Sequence, residues 1–281
     1  MGHPLSRAEL KRFLALILEE DIGPGDWTSL GTVPAKKRMA ANMVARQDLV
    51  LAGVDIAVAV FRALDPGAKI RLKARDGARI KKGRVILTIL GRARPMLSAE
   101  RAALNVVQHL SGIATLTAAY AKRLKGTGTI LLDTRKTVPG LRKLEKYATR
   151  IGGAENHRMG LYDAILIKDN HIAAAGGIAA AIRGAKRLRK RIPLEVECET
   201  LSQLKLALKE GVHLVLLDNM TLPQLRAAVK LAKGRTKIEA SGGVTLHNIR
   251  AIAKTGVEYI STSKITQSAP AADIALDWIK D

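Results

Sequence analysis

The 281-residue sequence predicts an α/β protein, an N-terminal open α/β sandwich followed by a βα-barrel. Three observations predict it. First, beyond residue 129 short apolar runs alternate with amphipathic helical stretches, the order that builds right-handed βαβ units and a parallel sheet. Second, each run stops at a charged or small polar residue: ILLD at Asp133, AILIKD around Lys168, PLEVE at Glu197, LVLLDN at Asp218, KIEASGG at Ser241 and YISTS at Ser263. Six such units favour a barrel over an open sheet, and the last four ends recur at intervals of 21, 23 and 22 residues. Third, 47% of residues are apolar but only 3% aromatic, so the core is built of Ala, Leu, Ile and Val. That composition suits closely packed helices and buried parallel strands.

The elements follow in order. Ser6 and Glu9 form the S-x-x-E capping-box pattern and predict an amphipathic helix over the run FLALIL. GPGDWTS is rich in turn formers and predicts a loop. Residues 38–46 are bounded like a strand, and residues 54–64 read as a helix ending at Asp65-Pro66-Gly67. Two strands are expected near 68–74 and 84–90, with turn signals at Asp76-Gly77 and Lys82-Gly83. DGARIKKGRVILTI resembles the hairpins of biotinyl- and lipoyl-carrier folds, but no lysine occupies the turn those carriers modify, so it is read as structural. From Ser98 a long helix follows, with Gly112 as a bend or close-packing point. The division is placed at 1–110 for the sandwich and 111–281 for the barrel and its catalytic site, with a last helix packing back on the first domain.

Lys and Arg exceed Asp and Glu by 47 − 25, a net charge of +22. Zinc-finger spacing and an RNP-type aromatic motif are missing from the sequence, and there is little aromatic surface for base stacking, which argues against nucleic acid and for small, highly anionic substrates. The dense cluster KRLRKR at 186–191 is read as a solvated helix face. The single cysteine, Cys198, excludes an intrachain disulfide and fits a reducing, cytoplasmic setting. FLALIL follows Lys11 and Arg12 and is closed by Glu19, Glu20 and Asp21, so it is not read as a secretory signal. No run is long enough to span a bilayer as a helix.

In a βα-barrel the active site lies at the C-terminal ends of the strands. Here those ends carry Asp133, Lys168, Glu197, Asp218 and Ser241. In DTRKTVPG, Arg135 and Lys136 leave a strand end, and Pro139 is expected to open a helix at its favoured first position, which would make an anion site. In NHRMGLYDAILIKDNH, His157 and Arg158 precede a strand that ends at Lys168 and Asn170; arginine suits bidentate carboxylate recognition. His157 and His171 lack zinc-ligand spacing to any cysteine. Glu197 and Asp218 end successive strands and would suit a Mg²⁺-pyrophosphate group. Glu195 and Glu199 flank Glu197 at period 2, and periodicity does not say which of the three reaches a substrate. Ser241 with Gly242 and Gly243 offers backbone N–H groups to a phosphate.

These motifs together resemble the quinolinate phosphoribosyltransferase family. The resemblance runs through EEDIGPGDWTS, ARQDLVLAGVDIAVAVFRALDP, SAERAALNVVQHLSGIATLT, the block from DTRKT to KDNHI, EVECET, LLDNM and ASGG. It implies an incomplete barrel and a head-to-tail homodimer with shared active sites. It implies transfer of phosphoribosyl from phosphoribosyl pyrophosphate to quinolinate, with loss of CO₂ and pyrophosphate, giving nicotinate mononucleotide for NAD biosynthesis. Arg101 would reach the neighbouring subunit's site and, with Arg135, His157, Arg158 and Lys168, hold the quinolinate carboxylates. Thr134 and Lys136 would border the phosphoribosyl group. Lys136, Glu197 and Asp218 would be the catalytic set, the two acids also holding Mg²⁺, directly or through water. Ser241, Gly242, Gly243, Thr262, Ser263 and Lys264 would surround the 5′-phosphate. One departure stands out: the family pattern has Gly where this chain has Ser263. The rival readings are a ModD-like paralogue of the same fold with a different acceptor, a basic nucleic-acid-binding protein, and a partner-binding barrel with a dead site.

Overall fold

The computed structural model describes residues 3–188 and 192–279. The first elements are α1 (Arg7–Ile22), α2 (Trp27–Thr32), β1 (Arg38–Ala45), β2 (Leu49–Val50), α3 (Val54–Leu64), β3 (Lys69–Leu72), β4 (Arg79–Ile80), β5 (Val85–Arg92) and α4 (Ala93–Leu124). Then come β6 (Ile130–Leu132), α5 (Arg142–Gly152), β7 (Ile165–Ile167), α6 (Asp169–Ala174), α7 (Ile178–Lys186), β8 (Leu194–Cys198), α8 (Leu201–Lys209) and β9 (Leu214–Asp218). The chain closes with α9 (Leu222–Ala232), β10 (Lys237–Ser241), α10 (Ile249–Ala253), β11 (Tyr259–Ser261), α11 (Lys264–Gln267) and β12 (Ile274–Ile279). Two compact units result: Met1–Ala118 with Lys143–Gly152 and Ala269–Asp281, and Ala119–Arg142 with Gly153–Ser268.

In the first unit, the Ser6 side chain accepts from the Glu9 backbone N–H while the Glu9 carboxylate accepts from the Ser6 N–H, the reciprocal cap that starts α1. GPGDWTS is not all loop. The Asp26 carboxylate accepts from the Ser29 N–H at 2.9 Å and caps the short α2, a task for which aspartate is among the best residues. The main sheet is antiparallel, in the order β12-β1-β5-β3, with a separate β2-β4 ribbon. The last segment is a strand rather than the expected helix. Ile274, Leu276 and Trp278 alternate with Ala275 and Asp277, a period of 2, and pair with β1 from Ala45↔Ile274 to Ala40↔Ile279. Phe61, Met43, Leu51, Ile86, Leu87, Ile89 and Met96 are large buried side chains of the core of this unit.

Gly112 is a close-packing point. A Cβ there would stand 2.0 Å from the Pro270 carbonyl oxygen, so only hydrogen lets α4 approach that backbone. Next to it, the Ala272 N–H donates to the Gln108 carbonyl, and Gln108 Nε2 donates to the Ile274 carbonyl.

The second unit holds a six-stranded sheet in the order β6-β11-β10-β9-β8-β7, every pair parallel. β6 and β7 do not pair with each other, so the barrel is incomplete, as the family resemblance implies. Among the described residues no helix is long and apolar enough to cross a membrane. Of the basic run at 186–191, residues 189–191 lie outside the described residues; Lys186 closes α7.

Gly112→Ala is expected to destabilise the fold by about 2 kcal/mol or more, the cost of forcing backbone apart at a filled contact. Urea or thermal unfolding would read it, and wild-type stability in the variant would show that α4 does not depend on this approach.

Candidate active site

The strand ends of the second unit bring backbone and hydroxyl groups together around one cavity. The β9–β10 register sets Ser241 beside Asp218. Past Ser241 the chain turns through Gly242 and Gly243 at φ +84° and +60°. A Cβ on Gly242 would lie 2.2 Å from the Asn219 side-chain oxygen. Asn219 is itself left-handed, at φ 53°, and its N–H donates to the Ser241 carbonyl at 3.0 Å. The two strand ends therefore lock each other. With Thr134, Lys136, Asp218, Thr262, Ser263 and Lys264 they line a cavity of about 300 Å³. Ser263 sits at φ −79°, ψ −14°, an ordinary helical conformation, so this backbone does not require the glycine of the family pattern.

The loop after β6 differs from the sequence expectation. Pro139 does not open a helix. Pro139 and Gly140 (φ +81°) are the central pair of a turn closed by the Leu141 N–H to the Val138 carbonyl at 3.1 Å, and α5 begins only at Arg142. Pro followed by a left-handed Gly is the type II turn pattern, and it wins over the helix-start preference. The helix terminus expected beside Arg135 and Lys136 is thus replaced by side chains and turns. Arg142 ties the loop down, donating from Nε to the Thr137 hydroxyl at 3.2 Å and from Nη1 to the Met159 carbonyl at 3.2 Å. Thr266 donates to the Lys136 carbonyl at 2.7 Å. Arg135 is half-buried, and its Nε is buried without a hydrogen-bond partner.

Asp133 is fully buried and serves as an anchor. Its carboxylate accepts from Asn156 Nδ2 at 2.6 Å and from the His157 N–H at 2.9 Å. The strand β8 resolves the three glutamates. Glu195 is buried, Glu197 is half-buried and accepts from Lys168 Nζ at 2.9 Å, and Glu199 is exposed beyond the strand. His171 is local: its Nδ1 accepts from the Lys168 N–H at 3.0 Å.

His157 and Arg158 sit deeper. His157 Nδ1 accepts from the Arg158 N–H at 2.8 Å, and Nε2 lies 2.9 Å from a Glu195 oxygen and 3.6 Å from a Glu239 oxygen. Arg158 Nη1 donates to the Ala164 carbonyl at 3.1 Å, just before β7. These four side chains line a second cavity of about 550 Å³, which Ile165, Leu194 and Leu214 border at the N-terminal ends of their strands. Burial and the nearby Arg135 guanidinium lower the Arg158 pKa, while Glu195 and Asp163 act in the opposite direction. The expected site residues thus fall into three groups. Thr134, Lys136, Asp218, Ser241–Gly243 and Thr262–Lys264 share the upper cavity, Lys168 pairs with Glu197, and His157 and Arg158 face Glu195 and Glu239. Arg101 belongs to the first unit and is exposed on α4.

Fold and site together define a barrel enzyme that gathers cations, hydroxyls and acids at its strand ends for an anionic substrate. Residues 26–111 match the N-terminal domain of quinolinate phosphoribosyl transferase and residues 113–277 match its C-terminal domain. The chain belongs to this family. The nicotinate-nucleotide pyrophosphorylase (carboxylating) of Mycobacterium leprae is 43% identical over 266 residues, covering 92% of this chain and 94% of that protein. The probable enzyme of that name from Synechocystis is 42% identical over 271 residues, covering 94% and 90%. The solved nicotinate-nucleotide pyrophosphorylase of Francisella tularensis superposes with a TM-score of 0.94 at 38% identity, covering 99% of this chain and all of that one.

Glu239 and Asn219 were missed by the sequence reading. The signal for Glu239 was present: it lies two residues before Ser241 on the same strand and so shares its face. Burial, then the charge of Glu195, push the Glu239 carboxyl up to about 8, against the opposing pull of the Ser261 hydroxyl. Between the ordinary carboxyl value near 4.5 and about 8, the folded chain holds a proton here that the unfolded chain has lost. Stability should therefore decline as pH rises through that window. Glu239→Gln should flatten the decline in pH-dependent urea unfolding; an unchanged slope would remove Glu239 as its source.

Proposed function

We propose that this chain transfers the phosphoribosyl group of phosphoribosyl pyrophosphate to the ring nitrogen of quinolinate, with loss of pyrophosphate and CO₂, to give nicotinate mononucleotide for NAD biosynthesis. The observation that carries the reading is the upper cavity. Backbone N–H groups at Ser241–Gly243, with Lys136, Lys264 and hydroxyls, suit a phosphate, and Asp218 stands at the same mouth. Arg135, with its buried and unpartnered Nε, suits a carboxylate of the acceptor. Lys168 and Arg158, the latter from the second cavity, would supply further cations for the second carboxylate, and Thr134 would border the donor.

Both substrates are polyanions, and fixed cations let them approach. Departure of pyrophosphate builds positive character at the anomeric carbon, which Glu197 or Asp218 would offset. Lys168 holds Glu197 at 2.9 Å and keeps that carboxylate oriented. Once ribosylated, the ring nitrogen is cationic and stabilises the carbon left by decarboxylation, so the enzyme's work is positioning and screening of charge. The donor set also fits Mg²⁺: Asp218 lines an oxygen-rich cavity and would hold a hydrated ion, with Glu197 joining through water. Such an ion, when bound, neutralises the leaving pyrophosphate.

A homodimer with shared sites goes with this reading. Trp27 and Leu30 in the first unit, and Leu161 and Tyr162 in the second, leave large apolar side chains exposed, as surfaces that meet a partner do. Arg101, exposed on α4, would serve the partner's site. The buried thiol of Cys198 is compatible with a reducing, cytoplasmic setting.

The direct test supplies purified protein with Mg²⁺, phosphoribosyl pyrophosphate and quinolinate. Nicotinate mononucleotide should appear together with CO₂ and pyrophosphate in equal amounts. Turnover of nicotinate or another base but not of quinolinate would assign a different acceptor. Arg135→Ala should raise the quinolinate KM about tenfold or more while leaving the fold intact, as loss of a charge-assisted hydrogen bond does.

A further inference from the structure

The buried cluster under the acceptor groups carries an assignment of its own. His157 Nε2, Glu195 and Glu239 bring ligand-type atoms within 4.8 Å of one another, a spacing that a metal ion would fit. The hydrogen bonding of the imidazole decides against a metal. Nδ1 accepts from the Arg158 N–H at 2.8 Å, so Nδ1 holds no proton. In a neutral imidazole the proton is then on Nε2, which leaves that nitrogen a donor with no lone pair for an ion. The donor points at Glu195, 2.9 Å away. Both ring nitrogens thereby have partners within the protein.

We propose that Glu195 is a positioning residue for acceptor binding: it fixes His157 in the Nε2–H tautomer and, through the bond from the Arg158 backbone to Nδ1, sets where the Arg158 guanidinium begins. The assignment rests on the proposed transfer to quinolinate.

Four further observations support it. Glu195 is 4% exposed, so its bond to His157 is shielded from water. It also acts electrostatically on Arg158, opposing the burial and the Arg135 repulsion that disfavour the guanidinium charge. Removing it would leave two neighbouring guanidiniums without that counter-charge. Glu239 fills the floor beneath, 3.6 Å from Nε2 and fully buried. Asp133 holds the His157 backbone from above at 2.9 Å. The ring is therefore gripped at its backbone and at both nitrogens, which is what a spacer needs and a mobile acid or base would not tolerate.

The experiment compares wild type, Glu195→Gln and Glu195→Leu in steady-state kinetics with both substrates varied, alongside ¹⁵N spectra of histidine-labelled protein. The Gln variant keeps an oxygen to accept from Nε2–H but loses the charge; the Leu variant loses both. Expected is a rise of about tenfold or more in the quinolinate KM for Glu195→Leu, a smaller rise for Glu195→Gln, and an unchanged KM for phosphoribosyl pyrophosphate in both. The wild-type His157 should show the Nε2–H tautomer. Equal increases in both KM values, a fall in kcat alone, or a His157 found as the Nδ1–H tautomer or the imidazolium would overturn the assignment. Should Glu195→Leu fail to fold, the quinolinate KM of Glu195→Gln decides: unchanged overturns it. A wild type that turns over another acceptor, or none, sinks the functional reading instead, and the tautomer spectrum still tests the geometry.

Discussion

The parallel sheet of the second unit has a seam, because β6 and β7 stand at its two ends and do not pair. A free strand edge leaves backbone N–H and C=O groups that must find partners. On the β6 side the chain supplies them from residues just past α5. The Glu155 N–H donates to the Leu131 carbonyl at 2.8 Å, and the Asp133 N–H donates to the Glu155 carbonyl at 3.2 Å. The Asp133 carboxylate then completes the seam by accepting from Asn156 and from the His157 backbone. Such donors are what make its burial tolerable, since an unpaired buried carboxylate would cost many kcal/mol or be neutralised. His157 and Arg158 start from this anchor, so their place in the fold hangs on a buried carboxylate.

The charge of the molecule is sorted by depth. The buried charged residues are Asp65, Asp133, Glu145, Glu195 and Glu239, with Lys146 as the one buried lysine among the described residues. Most of the basic excess in a chain of net charge +22 therefore faces solvent, where it can attract anionic ligands from a distance. The buried acids serve local tasks instead. Asp65 accepts from the Arg92 backbone and side chain, and Glu145 lies 2.9 Å from His109 Nε2. In the barrel, period 2 along β8 puts Glu195 and Glu197 on one face at different depths, one facing His157 and the other Lys168. The same strand thus supplies a support below and a site group above.

The fold was legible in the sequence where periodicity spoke alone. The helix over 54–64 and the strands ending at Asp218 and Ser241 follow directly from apolar spacing and abrupt polar ends, and the strand expected to end at Glu197 runs one residue further to Cys198. It failed where two local preferences competed. Pro139 suits both a helix start and a turn, and only the left-handed Gly140 behind it decides. The segment 274–279 is too short for a period of 2 to outweigh the helical look of its neighbours, and it becomes a strand because β1 offers a free edge. Within the site, residue types marked the right strand ends, but depth was not legible. Nothing in the spacing says that Arg158 turns toward Ala164 or that Glu239 lies under His157, because both depend on how the seam closes rather than on any one strand.

The turn after β10 shows why family patterns of glycine need a physical reading. Gly242 has no substitute: its φ is positive, and the Asn219 side chain occupies the space a Cβ would take. Ser263 lines the same cavity, yet its φ is negative and its backbone is that of an ordinary helix start. An N–H there can face an anion equally well with a side chain present, since what binds the anion is the direction of the dipole and not the absence of Cβ. Glycine is obligatory only where the chain must enter the left-handed region or pass close to another backbone. On that criterion the glycine constraint on this cavity lies at the junction of β9 and β10, where Asn219 and Gly242 lock together, and Ser263 needs no glycine.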